Sequence, residues 1–474
     1  MIYDDFFSRG YLISDSEINN YHINEWLSLK VNDFSFYFHK KTEFHLSSAR
    51  NNRFHCVMVG CPTDVSDENC SVNEIVSRCL KKEEESREAL IKYIAYLGGR
   101  FIAFLVEDEK ITAIPDCHAT YACYFSDSGG FCFASHSNLI SSIKGYGPGR
   151  AQRIINNDDY QEPGGKYLPA LVTPFDEVSQ LFPNCKLEFD IRSKNCRHDR
   201  FYPFSDTNIS QNVEFDKAYE QFEFYFLKNI KAIVKRENFY ISLTGGLDSR
   251  VTLAGINKEL LNSSCTAFTY YRPETPTEGS VFDMFKASQL SNAVNIPHKL
   301  IHLKSTDYSS DFHKMYSISF KYGARHPSLA RAYYEELPKN IKSLVSTCSE
   351  TGTVFYKNRE EKKITPEVLA KKFTTSKINN NPEIISEFDR YIDFTQMKSD
   401  LINEFDFYDL FYWEHRNAKW ASLWYAEADL SHFTIVPFNQ RNIIESMLSL
   451  SLKDRESKEI IKFFIKNNLG IKFS

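Results

Sequence analysis

Tyr240-Ile241-Ser242-Leu243-Thr244-Gly245-Gly246-Leu247-Asp248-Ser249-Arg250 is an apolar strand that runs through two adjacent glycines into a helical pattern. The glycines are expected to take positive φ and to let the backbone pass close to a phosphate chain. Loop amides and the next helix's N-terminus supply partial positive charge there. Hydroxyls on Thr244 and Ser249 can donate to phosphate oxygens, and Asp248 is a hard oxygen ligand suited to the Mg²⁺ that accompanies ATP. The bland alternative is a strand-to-helix turn that happens to hold Gly-Gly and a capping Asp-Ser pair. The order Ser/Thr-Gly-Gly-x-Asp-Ser is far more restrictive than a Gly-rich turn, so residues 244–249 are read as a pyrophosphate-binding loop.

Downstream of about residue 213 the pattern alternates. Phe215–Ile233 reads as a helix, Phe239–Leu243 as a strand, Arg250–Leu261 as a helix and Cys265–Tyr271 as a strand. Phe282–Ala293 is again helical and His298–Leu303 a strand. Such alternation predicts βαβ units and a parallel sheet, with ligands bound where strand C-termini meet helix N-termini. Beyond residue 308 the chain is mostly helical, with one short strand at Ser343–Thr347. Upstream, Arg100–Val106, Lys110–Ile114, Tyr121–Phe125 and Phe131–Ser135 alternate between turn residues and predict one antiparallel meander. A strand pair around Lys186–Asp190 follows, and Phe201–Asp206 reads as an exit into a linker.

The 474 residues suggest two or three domains at roughly 150 residues each. A formal charge of −5 offers no basic field of the kind nucleic acid requires, so no nucleic-acid partner is expected. Eleven cysteines at uneven spacing form no paired framework, which points to free thiols in a reducing, cytoplasmic compartment. No apolar stretch reaches the roughly 18 to 20 residues of a membrane span, and with no basic n-region followed by an apolar h-region a secretory leader is not expected. His55-Cys56 with Cys61, and Cys117-His118, lack a second half at zinc-finger spacing.

With the loop, the strand order and the domain sequence assembled, the chain resembles the asparagine-synthetase-like family, which includes β-lactam synthetases and lasso-peptide cyclases. Leu97-Gly98-Gly99-Arg100-Phe101, Asp116 with Tyr124, Ala134-Ser135 and Thr173–Asp190, with Leu181-Phe182-Pro183-Asn184, look like landmarks of its N-terminal half. The resemblance implies an α+β Ntn-hydrolase-like sandwich over residues 1–205. An α/β adenine-nucleotide α-hydrolase-like (PP-loop) synthetase domain with a helical C-terminal part would cover 206–474. Glutamine-hydrolysing members expose a cysteine once Met1 is removed, whereas position 2 is Ile2 and Tyr3, Asp4 and Asp5 offer no thiol, so this glutaminase is expected to be degenerate. The alternative is a wrongly chosen start codon.

In the second half the family places a second acidic metal ligand in a Gly-Gly-Asp-Glu stretch after a later strand. Ser346-Thr347-Cys348-Ser349-Glu350-Thr351-Gly352-Thr353-Val354-Phe355-Tyr356 stands there and keeps the acid and the aromatics without the quartet, which makes Glu350 the expected partner of Asp248 on Mg²⁺. Ile435-Val436-Pro437-Phe438 resembles the Pro-Phe signature, with Glu427 and Asp429 just before it. Lys458-Glu459-Ile460-Ile461-Lys462 looks like the Lys-x-x-x-Arg helix, with Lys458 on the catalytic lysine. A fixed cation there neutralises charge developing on an acyl-adenylate, although a solvated surface lysine is the competing reading. The nucleotide set is then Ser242, Thr244, Gly245, Gly246, Asp248, Ser249, Arg250 and Thr269, with adenine near Phe268-Thr269-Tyr270-Tyr271. Arg250 could touch phosphate or substrate, or lie on the helix surface. Arg416, Trp420 and Trp424 fall at helical spacing; core packing is the plain reading, and an arginine lining the substrate mouth the functional one.

The implied activity is an AMP-forming carbon–nitrogen ligase that uses ATP and Mg²⁺, adenylates a carboxylate of a small molecule or peptide, and passes it to ammonia or an amine. The rival classes are another pyrophosphate-loop chemistry, tRNA thiolation or lysidine formation, and a pseudoenzyme acting as a nucleotide-binding or assembly partner. No membrane partner is expected and a homodimer stays open. Purified protein is expected to release no glutamate from glutamine; appreciable release contradicts the degenerate-glutaminase reading.

Overall fold

Strand alternation builds the first 200 residues. In the strand Phe54–Thr63, Cys56 and Met58 turn to one side while Val57 and Val59 turn to the other. Val57 and Val59 join Tyr11, Phe36, Phe104 and Phe133 in a core between two sheets, whereas Cys56 and Met58 pack on the helices Val72–Glu85 and Arg87–Ala95. The opposite sheet repeats the pattern, with Leu12, Cys132 and Ala134 packed against the helix Ser137–Lys144. The result is helices, two antiparallel six-stranded sheets and a further helix in layers. The structure is a computed structural model that describes residues 5–162, 165–207, 209, 212–235, 237–323, 325–402 and 405–469. Ile2, Tyr3 and Asp4 lie outside the described residues.

Two expectations change here. The four central strands do not form one meander: Gly98–Glu107 and Lys110–Pro115 belong to one sheet, Tyr124–Ser126 and Cys132–Ala134 to the other. The crossing is made by residues 116–123, tied down by Asp116, whose carboxylate accepts from the backbone of Phe101, His118, Thr120 and Tyr121. Five strands before residue 64, from Tyr11–Ser14 to Phe54–Thr63, went unread: the first four are only four or five residues long, and Phe54–Thr63, buried along its whole length, shows no period-two alternation.

The second half is a five-stranded parallel sheet in the spatial order His298–His302, Cys265–Tyr271, Phe239–Ser242, Lys342–Leu344, Phe433–Ile435. Helices Phe215–Val234, Leu247–Gly255, Arg441–Leu448 and Glu459–Asn468 cover one face, and Pro327–Glu336 with Ser422–Ala428 the other. The expected helix Arg250–Leu261 is two helices, Leu247–Gly255 and Lys258–Ser264, because Asn257 caps the second by accepting from the Glu259 amide at 2.8 Å. No described helix is long and apolar enough to cross a membrane.

The halves meet through buried polar groups. Arg100 reaches Asp429 in a two-pronged pair of 2.7 and 2.6 Å, with side chains 1% and 3% exposed, and its guanidinium lies over Tyr121 and Phe433 at 4.9 Å each. Gly99 beside it holds φ +86 where any side chain would collide with the Cys61 carbonyl, so glycine is required next to Arg100 in this strand. Removing one partner of such a pair strands a buried charge, at about 3–5 kcal/mol. Asp429→Ala is therefore expected to lose that much stability in urea unfolding. A loss below about 1 kcal/mol, the range of exposed pairs, contradicts the tie.

Candidate functional site

The sheet order decides where a site can form. Phe239–Ser242 lies at the centre; the chain moves from it to Cys265–Tyr271 on one side and returns on the other as Lys342–Leu344. Loops leaving the C-terminal ends of Phe239–Ser242 and Lys342–Leu344 diverge and open a crevice at this switch point, the place where open α/β sheets bind ligands. Residues 243–249 and 345–352 are those loops, and they carry Asp248 and Glu350.

In the first loop the strand ends at Ser242, which is half-buried, and the helix begins at Leu247. The Thr244 amide donates to Ser249 Oγ at 3.1 Å, the Gly246 amide to Thr244 Oγ1 at 3.1 Å, and the Gly245 amide to Asp283 Oδ1 at 2.8 Å. Neither glycine takes positive φ: Gly246 has φ −74, and Gly245 is not among the left-handed glycines. The expectation of positive φ is corrected. Glycine is required at 245 by close approach, since a Cβ would lie 2.6 Å from Phe282 Cε1. Arg250 folds back over the loop and donates to the Gly245 carbonyl at 2.6 Å. Thr269 is buried and spends its hydroxyl on the Leu243 carbonyl at 2.6 Å and on His298, so it braces the strand end rather than facing the crevice.

Glu350 stands on the short helix Ser349–Gly352, which follows a left-handed Cys348 at φ 68. Tyr412 donates to Glu350 Oε2 at 2.8 Å. Burial raises the Glu350 pKa, Tyr412 opposes that, and the nearby Asp248 charge raises it further, while Lys458 and Arg416 lower it. The two carboxylates therefore sense each other across the crevice. Among the described residues no group of three His, Cys, Asp or Glu could hold a metal ion. Two carboxylates fit a Mg²⁺ that keeps its waters and arrives with phosphates, and do not amount to a cage for a resident ion.

Lys458 does not lie within a helix, as the Lys-x-x-x-Arg reading expected. It caps the helix Glu459–Asn468 with φ 57, between that helix and Leu452–Glu456. Its Nζ lies 3.1 Å from Asp248 Oδ2, 210 residues away in sequence. Arg455 secures the approach by donating to the Gly352 carbonyl at 2.9 Å and pairing with Asp409 at 2.7 Å, so one arginine ties the Lys458 turn to the Glu350 helix. Lys462 sits on the surface and pairs with Glu459.

Arg416 and Trp420 were expected at α-helical spacing, but Tyr412–Ala421 is a π-helix. Within it Arg416 lies over Phe355 at 4.7 Å, Trp420 at 5.1 Å and Tyr167 at 5.4 Å. Arg325, its pKa lowered by burial to about 10, also lies over Trp420, at 3.5 Å. Trp424 stacks obliquely on Trp420 at 6.2 Å. The remaining turns of the π-helix hold the first half: Glu414 pairs with Arg200 at 2.6 Å and accepts from Asn184, Trp413 donates to the Cys117 carbonyl, and His415 accepts from the Ala170 amide.

Tyr412, Arg325 and Asp283 were absent from the sequence reading, and Arg100 and Asp429 were named there without being paired. Each acts through a partner remote in sequence.

No protein-family model and no curated protein matches the chain. Among solved structures, glutamine phosphoribosylpyrophosphate amidotransferase from B. subtilis complexed with ADP and GMP is 7% identical with a TM-score of 0.24, covering 81% of this chain and 73% of that one. A structure of the allosteric regulatory enzyme of purine biosynthesis is 8% identical with a TM-score of 0.25, over 72% of this chain and 70% of that one. NH3-dependent NAD synthetase from Campylobacter jejuni subsp. jejuni NCTC 11168, in complex with the nitrate ion, is 14% identical with a TM-score of 0.21. It covers 38% of this chain and 94% of that one. Likenesses of this size decide neither fold nor activity.

Lys419, on the same π-helix, is buried with Nζ 2.6 Å from the Val172 carbonyl, and burial pushes its pKa down to about 7. Above that value the folded protein holds the neutral amine while the unfolded chain still binds the proton, so stability rises with pH until the ordinary lysine range. The slope from this group reaches about 1.4 kcal/mol per pH unit. Lys419→Met is expected to flatten urea-unfolding stability between about pH 7 and about pH 9 relative to the wild type. Parallel slopes in the two proteins show instead that the ammonium stays charged.

Proposed function

We propose that the chain is an ATP-dependent, AMP-forming carbon–nitrogen ligase. The observation that carries the reading is the meeting, at the sheet's switch point, of the Thr244–Ser249 loop, two carboxylates on the helices that follow different strands and the Lys458 ammonium 3.1 Å from Asp248. Residues 1–205 are read as a glutaminase-type sandwich and residues 206–474 as a pyrophosphate-loop synthetase.

In this reading the amides of residues 244–246, together with the Thr244 and Ser249 hydroxyls, orient the β- and γ-phosphates, and Asp248 and Glu350 hold Mg²⁺. When bound, Mg²⁺ neutralises phosphate charge and polarises the leaving pyrophosphate. A substrate carboxylate oxygen attacks the α-phosphorus; the bond to the bridging oxygen breaks and pyrophosphate leaves. Lys458 transfers its contact from Asp248 to the developing anion, a preorganised charge that needs no covalent nucleophile. Ammonia or an amine then attacks the acyl carbon, AMP departs, and the amine loses a proton. Tyr412 keeps Glu350 oriented, and the aromatic wall around Arg416 excludes water on the substrate side.

Carboxylate-dependent exchange between ATP and labelled pyrophosphate tests the proposal directly. Asp248→Ala is expected to abolish exchange, and Lys458→Met to lower it by about 10²–10³ while ATP still binds. Exchange that survives in Asp248→Ala refutes the metal site. Absence of exchange with every carboxylate tried, or with cell extract, favours a nucleotide-binding partner without turnover.

A further inference from the structure

The phosphate cradle already holds an anion of the protein's own. The helix Glu278–Ala293 crosses in front of the loop, and the carboxylate of Asp283 takes the Gly245 amide at 2.8 Å, while the ring of the neighbouring Phe282 fills the space beside Gly245. The other two loop amides, of Thr244 and Gly246, are met by neutral hydroxyls. A hydroxyl can rotate to share a phosphate oxygen; a carboxylate in contact with the same amide repels it. Asp283 therefore stands apart from the rest of the loop's internal contacts. It competes with a phosphate for one donor.

The helix is built to give way at that end. Its buried residues, Ala287, Leu290 and Ser291, all lie in its C-terminal half. The N-terminal half leaves Val281, Phe282 and Phe285 exposed by 45%, 51% and 57%. Apolar burial ties down one half of the helix and does little for the other, so opening the N-terminal half exposes little new surface. The stretch leading into it, residues 274–279, is exposed throughout.

We propose that Asp283 is a latch: its carboxylate occupies the Gly245 amide in place of a nucleotide phosphate, and nucleotide binding displaces it together with residues 278–286. The inference rests on the nucleotide-binding part of the proposed function and assigns to that site a competing internal anion. Phosphate affinity is then set by the exchange of one anion for another on the same N–H, and the cradle stays covered until a polyanion arrives.

Asp283→Asn keeps the side chain's shape and an oxygen acceptor for Gly245 but removes the charge. Calorimetric binding of Mg-ATP to the full chain is expected to be about tenfold tighter in Asp283→Asn than in the wild type. Amide hydrogen exchange of residues 278–286 in the wild type is expected to speed up when Mg-ATP binds. Equal or weaker binding by Asp283→Asn, or exchange in 278–286 that slows or stays unchanged with nucleotide, overturns the latch. A wild type that binds Mg-ATP but performs no carboxylate-dependent pyrophosphate exchange sinks the ligase reading and leaves the latch standing. No binding by either protein overturns both.

Discussion

The Arg100–Asp429 pair holds the two halves of the molecule in register. A guanidinium 1% exposed has no access to water, so its charge must be met by the protein, and a two-pronged carboxylate meets it with directional hydrogen bonds. That geometry requires the strand Gly98–Glu107 of the antiparallel half to lie against the segment that leads into Phe433–Ile435, the edge strand of the parallel sheet. The neighbouring contacts follow the same logic. Asn439 accepts from His118 and donates to the Gly99 carbonyl at 2.5 Å, and Asn229 spans Thr63 and the Pro437 carbonyl. Polar groups buried at this density must be mutually satisfied, and few relative placements of two sheets satisfy them all.

The π-helix Tyr412–Ala421 carries this junction into the crevice. Its residues divide between two duties: Trp413, Glu414 and His415 grip the antiparallel half, while Tyr412 and Arg416 reach Glu350 and the aromatic wall. Such π-turns are the kind of irregularity found at functional sites. Asp248, Glu350 and Lys458 thus come together through structures that lie outside the loop: the switch in strand order, the Arg455 tie and the π-helix. Each charge at the crevice also has an internal partner. Lys458 lies on Asp248, Tyr412 on Glu350 and Asp283 on Gly245.

Several features were legible in the sequence for identifiable reasons. The loop at 244–249 could be found because its residues are contiguous and each serves a local need, and the strands Phe239–Ser242 and Cys265–Tyr271 because they are short apolar runs between helical patterns. Glu350 was read from the position of its strand and the aromatics that follow it, and it stands on the helix Ser349–Gly352. The glycines were identified correctly but for an incomplete reason. Gly245 is glycine because Phe282 and Asp283 approach it, a contact across 38 residues that no local pattern encodes. The separation of four neighbouring strands into two sheets escaped for the same reason: period-two alternation states which residues share a face and is silent on which sheet the strand joins.

By itself, then, the sequence determined the elements whose cause is local: the strand-to-helix turn at 243–247 and the alternation of strand and helix after residue 213. Tertiary structure alone decided the rest. It placed Lys458 on Asp248, turned Thr269 inward as a brace, made Tyr412–Ala421 a π-helix and set Asp283 in the cradle. Hydrogen bonding and hydrophobic period act over a few residues and leave a trace in the sequence. Burial of a charge, by contrast, is satisfied by whichever partner the packed chain brings within 3 Å or so, and that partner is known only once the sheets have closed on each other.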